Sequence, residues 1–186
     1  MLEPRTISRL RRAFPSSLAA DVDAALALVS PCPIEPSDDD IGPVHVAGEA
    51  LHIPSRIYSP EPRIDAQDSV TETAKMVLGC LYTRHSSGRI REKHLRTIIS
   101  SSEQWVPPFV VQLIGEYVVE IHGVIEANVA SLQQPSYVRF VAENPTFIDL
   151  TTQRMTSYWD CYFRRETPNL EDHVGFRLLK ALETAR

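Results

Sequence analysis

The chain has 186 residues and a formal net charge of −5, with 43% apolar and 23% charged residues. This length and composition are typical of one globular domain and exclude wholesale disorder. The charge is uneven, because residues 1–83 carry twelve acidic side chains against seven basic ones, while residues 84–186 carry twelve of each. The negative balance excludes the strongly basic surface of many nucleic-acid-binding proteins.

The sequence also predicts a cytoplasmic location. The first residues contain arginines but lack the apolar stretch that follows them in a secretory signal. The longest apolar stretch is interrupted by Glu116, Glu120 and Glu126, so we expect no membrane-spanning helix. The three cysteines are far apart and odd in number, which favours free thiols in a reducing compartment.

Residues 1–30 are predicted to form an N-terminal helical arm. Leu18, Val22 and Leu26 recur at helical spacing and predict that its second half packs one apolar face. Two short helices packed against each other are therefore expected here.

Residues 31–68 are predicted to form an acidic, proline-rich connection. The prolines and the triplet Asp38–Asp40 favour irregular structure. Apolar and polar side chains then alternate, which predicts a short β-hairpin over about residues 44–58 that turns near Gly48.

Residues 69–186 are predicted to form a helical core domain around one buried helix over about residues 107–130. Its apolar side chains recur at steps of three and four, and Pro107 and Pro108 suit the first turn of a helix. Gly115 and Gly123 are expected to weaken this helix and to let another backbone approach closely. The fold class is therefore predicted to be mainly α, a multi-helix domain with one short hairpin.

The segment 84–96 carries the clearest local excess of positive charge. Its basic residues are candidates for binding a polyanion or another partner, opposed only by Glu92, and they are Arg84, Arg89, Arg91, Lys93 and Arg96. We expect this basic segment to be exposed if it binds a polyanion. A solvated helix face, or an internal partner for the acidic loop at Asp38–Asp40, is the commoner explanation of such a cluster.

A second candidate is the aromatic stripe Tyr158, Trp159, Tyr162 and Phe163. Trp, Tyr and Arg dominate protein–protein interfaces, so Tyr158, Trp159 and Tyr162 are candidate interface residues. Burial of the stripe in the core is the interpretation that the residue types favour.

The sequence contains no recognised catalytic or metal-binding motif. Glu116, Glu120 and His122 lack the Glu-x-x-His spacing of helical carboxylate-bridged metal sites. His45 and His52, on the two strands of the predicted hairpin, supply only half of a metal site. We therefore expect no metal and no cofactor.

The first functional hypothesis is a non-catalytic cytoplasmic binding or scaffold protein. It is expected to bind a protein partner or a second copy of itself, through the hairpin and the aromatic stripe. The competing expectation is that residues 1–30 fold back over these surfaces and leave a monomer. The first alternative is a nucleic-acid-associated helical regulator that uses the basic segment. The second is an enzyme whose site forms only in the fold, with His85, His94 and Glu116 as first candidates.

Overall fold

The computed structural model describes residues 2–38 and 42–184. Within them the α-helices are α1 (Pro4–Arg11), α2 (Ala19–Leu28), α3 (Ile64–Gln67), α4 (Glu72–Tyr82), α5 (Gly88–Ile98), α6 (Pro107–Ile114), α7 (Val119–Ala127), α8 (Pro135–Glu143), α9 (Pro145–Tyr158) and α10 (Val174–Glu183). The strands are β1 (Ser37–Asp38), β2 (Val44–Val46), β3 (Glu49–Leu51) and β4 (Pro54–Arg56). The predicted class, mainly α with a short hairpin, is confirmed. None of the described helices is long and apolar enough to cross a membrane.

The chain divides into two compact units, Met1–Ile98 and Ile99–Arg186, called here the N-terminal and the C-terminal unit. The three segments expected from the sequence, with boundaries at residues 30 and 68, stay a prediction.

Helix α4 is the centre of the N-terminal unit. It contacts α2 and α5, and its residues from Val77 to Tyr82 are all buried. The Thr71 side chain caps the helix by accepting a hydrogen bond from the backbone N–H of Ala74 at 3.0 Å. Such a cap pairs an N–H that the first turn of a helix otherwise leaves without a partner.

The hairpin pairs β2 with β3 and turns through Ala47 and Gly48, which both have positive φ. Two such residues define the tight turn that matches the twist of antiparallel strands, so the turn predicted near Gly48 is confirmed. The rest of the predicted hairpin differs, because β4 pairs with β1 instead of extending β3. Asp39 and Asp40 of the acidic triplet lie outside the described residues.

Residues 107–130 form two helices in the C-terminal unit, where the sequence predicts one. Helix α6 begins at Pro107 as expected, but it ends at Ile114, and α7 begins only at Val119. All eight residues of α6 are buried, and α6 contacts α7, α8, α9 and α10. Helix α6 is therefore the buried centre of this unit, although it is shorter than the periodicity suggests.

The break occurs at Gly115, where α9 packs closely against the chain. A Cβ atom on this residue would lie 3.2 Å from the carbonyl oxygen and 3.2 Å from the Cγ2 of Thr151 in α9. The expectation that another backbone approaches closely is thus confirmed for Gly115. It is wrong for Gly123, because no neighbouring atom of the described residues lies within 4 Å of a Cβ atom placed there. Glycine inside a helix costs about 1 kcal/mol of stability relative to alanine. Ending the helix at Gly115 therefore sacrifices little stability.

Candidate functional site

Two of the five cations of the basic segment are buried. Arg84 is 1% exposed and Arg91 is 2% exposed. The exposure that we expect of a basic segment that binds a polyanion is therefore absent at these two side chains.

The position of Arg91 explains its burial. It lies three, four and seven residues before His94, Leu95 and Ile98, which places it on the inner face of α5. Its Nη1 donates to the carbonyl oxygens of His85 at 2.8 Å and Ser86 at 2.9 Å, just after α4 ends. Arg91 therefore fastens this turn to α5, a role that the inward face in the sequence could have indicated.

The other three cations of the basic segment, Arg89, Lys93 and Arg96, are exposed. Lys93 Nζ lies 2.6 Å from Glu61 Oε1, and Arg96 Nη2 lies 2.7 Å from Glu92 Oε1. Exposed ion pairs of this kind are worth about 1 kcal/mol or less, and they reduce the positive charge presented to a ligand.

Glu61 joins Lys93 to a cluster of aromatic rings in the N-terminal unit. His94 Nε2 lies 2.8 Å from the same Glu61 oxygen. The Tyr82 ring stacks on His94 with centroids 5.0 Å apart and on His85 at 6.1 Å, and its hydroxyl donates to the Pro60 carbonyl at 2.6 Å. His85 and His94, both suspected as enzyme residues, are thus brought together, whereas Glu116 belongs to the C-terminal unit.

The C-terminal unit presents a group of exposed and half-buried aromatic side chains, called here the aromatic face. It comprises the exposed Tyr117 and Tyr162 and the half-buried Tyr158 and Trp159. The three tyrosine rings contact one another, with centroids 5.4 Å, 5.8 Å and 6.0 Å apart. Tyr162 is 62% exposed and Tyr117 is 50% exposed. The interpretation of the aromatic stripe as core is therefore wrong for Tyr162, and the other three residues of the stripe are only half-buried.

Backbone geometry explains why these side chains point outward. Residues Trp159–Phe163 continue α9 as a π-helix, a wider helix that rotates side chains away from the face of the preceding turns, and none of them is buried. The indole N–H of Trp159 donates to the Thr167 carbonyl at 2.9 Å. Sequence reasoning missed Tyr117, because one continuous helix would place it in the apolar stripe, whereas the break after Ile114 leaves it exposed.

His122 and His173 lie side by side inside the C-terminal unit, with ring centroids 5.9 Å apart. His122 Nε2 donates to the Ile114 carbonyl at 3.0 Å, and His173 Nδ1 accepts from Gly175 N at 3.2 Å. The other two ring nitrogens are buried without a hydrogen-bond partner among the described residues. Burial lowers the pKa of His122 to about 4, assisted by His173, and burial also lowers the pKa of His173.

The residues suspected as metal ligands do not converge. In the hairpin His45 pairs with Ala50, not with His52. Glu120 is exposed while His122 is fully buried. Over residues 2–38 and 42–184, no three His, Cys, Asp or Glu side chains are grouped so as to hold a metal ion.

Comparison with known proteins adds no assignment. The chain matches no protein-family model, no curated protein and no solved structure.

Proposed function

We propose that this chain is a non-catalytic cytoplasmic protein that works by binding protein, and that a second copy of the chain binds its aromatic face. The observation that carries the proposal is the contact among three tyrosine rings, two of which, Tyr117 and Tyr162, are at least half exposed.

Aromatic side chains gain most by leaving water, and Tyr and Trp lose little conformational freedom when they bind. The face also holds a cation, since Arg164 lies over the Trp159 ring at 5.7 Å from its centroid. Val119, 45% exposed, adds apolar surface at the start of α7. Interface hot spots are rich in Tyr, Trp and Arg, so these side chains of the aromatic face support a protein partner over a small polar ligand.

The charges beside the face support a second copy as that partner. Arg165 and Glu166 lie two and three residues after the end of the π-helix, are exposed, and form no ion pair with another described residue. In a dimer with two-fold symmetry each copy presents the same surface, so Arg165 of one copy can meet Glu166 of the other. A surface that carries both signs side by side is self-complementary in charge.

The hairpin is a weaker candidate for the dimer interface than the aromatic face. Val44, Val46 and Leu51 are each at most 3% exposed, so its apolar side chains are already covered. The hairpin is also tied to the N-terminal arm, because the backbone N–H of His52 donates to the Arg12 carbonyl at 2.8 Å. This arrangement supports the expectation that residues 1–30 cover the hairpin, and it moves the proposed interface to the aromatic face.

The nucleic-acid alternative has weaker support. Arg84 and Arg91 are buried, and Lys93 and Arg96 pair with carboxylates, so little of the basic segment is left to neutralise phosphates.

Sedimentation equilibrium at micromolar concentration tests the proposal. We expect a mass near twice 20.9 kDa for the unmodified chain. Tyr162→Ser removes the most exposed ring of the aromatic face and should weaken the dimer about thirtyfold, as loss of a hot spot does. The matched control is Ile64→Ser, which removes an equally prominent apolar side chain, 76% exposed, from the N-terminal unit and should leave the mass unchanged.

Thiol labelling gives an independent readout of the same surface. Cys161 lies in the π-helix beside Tyr162 and is exposed, whereas Cys80 is buried and its burial raises the pKa of its thiol. We expect Cys161 to react more slowly with a maleimide as the concentration of the unmodified chain rises, but not in Tyr162→Ser. A mass of 20.9 kDa at all concentrations, or equal dimerisation of both variants, would overturn the proposal.

A further inference from the structure

We propose that a groove between α3, α4 and α5 binds a small hydroxylated organic acid, with His94 accepting a hydrogen bond from the ligand hydroxyl. The site lies entirely in the N-terminal unit and is independent of the proposed dimer. It is a binding site, and no catalytic step is assigned to it.

The groove has the size of a ligand site. Its volume is about 340 Å³, and its lining includes Ile64, Glu72, Lys75, Met76, Lys93 and His94. Small-molecule sites in proteins generally occupy about 300–1,000 Å³ and combine apolar walls with a few fixed polar groups.

His94 is the fixed polar group. Its ring is held on one side by the stacked Tyr82 ring, 5.0 Å away, and at one edge by Glu61. The carboxylate accepts the Nε2 proton at 2.8 Å, so the other nitrogen, Nδ1, carries the lone pair of a neutral imidazole. Nδ1 forms no hydrogen bond within residues 2–38 and 42–184, and the side chain lines the groove.

His94 is neutral at neutral pH, which lets its Nδ1 accept a hydrogen bond. Burial lowers its pKa and outweighs the opposite effect of the Glu61 hydrogen bond. The pKa of Glu61 is also lowered, because hydrogen bonds from Lys93 and His94 outweigh its desolvation. At neutral pH the pair is therefore a carboxylate and a neutral imidazole, and Nδ1 accepts from an O–H group.

Each of the two lysines lies in a neutral ion pair, so the groove recognises an acid through ammonium N–H donors that the pairs leave unused, and not through net positive charge. Lys75 pairs with Glu72 at 2.8 Å and Lys93 pairs with Glu61 at 2.6 Å, and each ammonium group has three donors. The donors not used in these pairs are available to an anion at the edge of the groove. Ile64, 76% exposed, and Met76 supply apolar contact for the body of the same ligand.

Three matched probes test this chemistry by calorimetry and by NMR of the histidine side chains. 4-Hydroxyphenylacetate carries the hydroxyl, the apolar ring and the carboxylate, and we expect it to bind and to shift the His94 signals. Phenylacetate lacks the hydroxyl and 4-hydroxyphenylacetamide lacks the charge, so each should bind about tenfold more weakly. Lys75→Gln should weaken 4-hydroxyphenylacetate by a similar factor, while Lys180→Gln, an exposed lysine of the C-terminal unit, should not.

The outcomes separate this site from the dimer. Tyr162→Ser should bind 4-hydroxyphenylacetate as the unmodified chain does, so loss of dimerisation leaves this test intact. Equal binding of all three probes, no shift of the His94 signals at millimolar probe, or unchanged binding in Lys75→Gln would each overturn the proposal.

Discussion

Leu113→Ala is expected to lower the free energy of unfolding of the C-terminal unit by about 2–5 kcal/mol, the range of leucine truncations in packed cores. Leu113 has no exposed surface and lies in α6, whose every residue is buried among α7, α8, α9 and α10. Truncation to alanine leaves a cavity, and the helices that surround Leu113 on several sides cannot readily fill it. The lost packing contacts therefore add to the lost hydrophobic transfer free energy.

Urea unfolding followed by tryptophan fluorescence measures this effect directly. Both tryptophans of the chain, Trp105 and Trp159, belong to the C-terminal unit, so their emission reports its unfolding. The control is Val129→Ala, an apolar truncation in the same unit at a side chain that is 40% exposed. A loss in Leu113→Ala no larger than in Val129→Ala would show that α6 is not the centre of the core.

Local sequence signals predict where α6 begins and where the hairpin turns. Pro107 stands in the first turn of α6, as expected, because proline fixes φ near the helical value and lacks an N–H that the first turn would leave unpaired. The turn at Ala47 and Gly48 is equally local, since positive φ is cheap for glycine. These features depend on a few adjacent residues, and so the sequence is sufficient to find them.

The end of α6 could not be predicted in the same way. The apolar period continues through residues 115–118, and Gly115 alone is a weak signal for a break. The backbone of Thr151 in α9 approaches Gly115 too closely for a larger residue to fit there. A contact between residues far apart in the sequence leaves no local pattern, and the exposure of Tyr117 was missed as a consequence.

The burial of Arg91 in the basic segment likewise depends on contacts that the local sequence does not reveal. Its charge predicts exposure, because buried cations are rare. In the fold the carbonyl groups of His85 and Ser86 accept its hydrogen bonds, which offsets part of the cost of removing the guanidinium from water. Only the periodicity of α5, which puts Arg91 in line with Leu95 and Ile98, gives a hint of this in the sequence.

The His122–His173 pair predicts that the C-terminal unit loses stability in mild acid. The pKa of His122 falls from 6.5 to about 4 on folding, chiefly because burial disfavours the charged imidazole and also because His173 lies beside it. Below pH 6.5 the unfolded chain therefore binds a proton that the folded chain refuses until about pH 4. The contribution of the neutral His122 to the free energy of unfolding is fully present above pH 6.5 and declines as the pH falls toward 4. At pH 4 the free energy of unfolding is lower by about 3 kcal/mol.

Charged neighbours do not reverse the direction of these pKa shifts. Glu116 acts to raise the pKa of His122, but burial outweighs it. Arg177 acts to lower the pKa of His173 in addition to burial, so both rings resist protonation in the folded state. The prediction therefore holds for the pair as a unit.

The test is urea unfolding, read by tryptophan fluorescence, at several pH values between 7 and 4 for the unmodified chain and for His122→Gln. Glutamine supplies an N–H for the Ile114 carbonyl and does not titrate, so the decline in unfolding free energy should be smaller by about 3 kcal/mol over this range. His45→Gln replaces an exposed histidine and should leave the decline unchanged. An NMR titration of the folded, unmodified chain measures the pKa of His122 without any variant. A pKa near 6.5 in that titration, or an equal decline in His122→Gln, would show that the folded state admits the proton and that the buried pair does not govern acid stability.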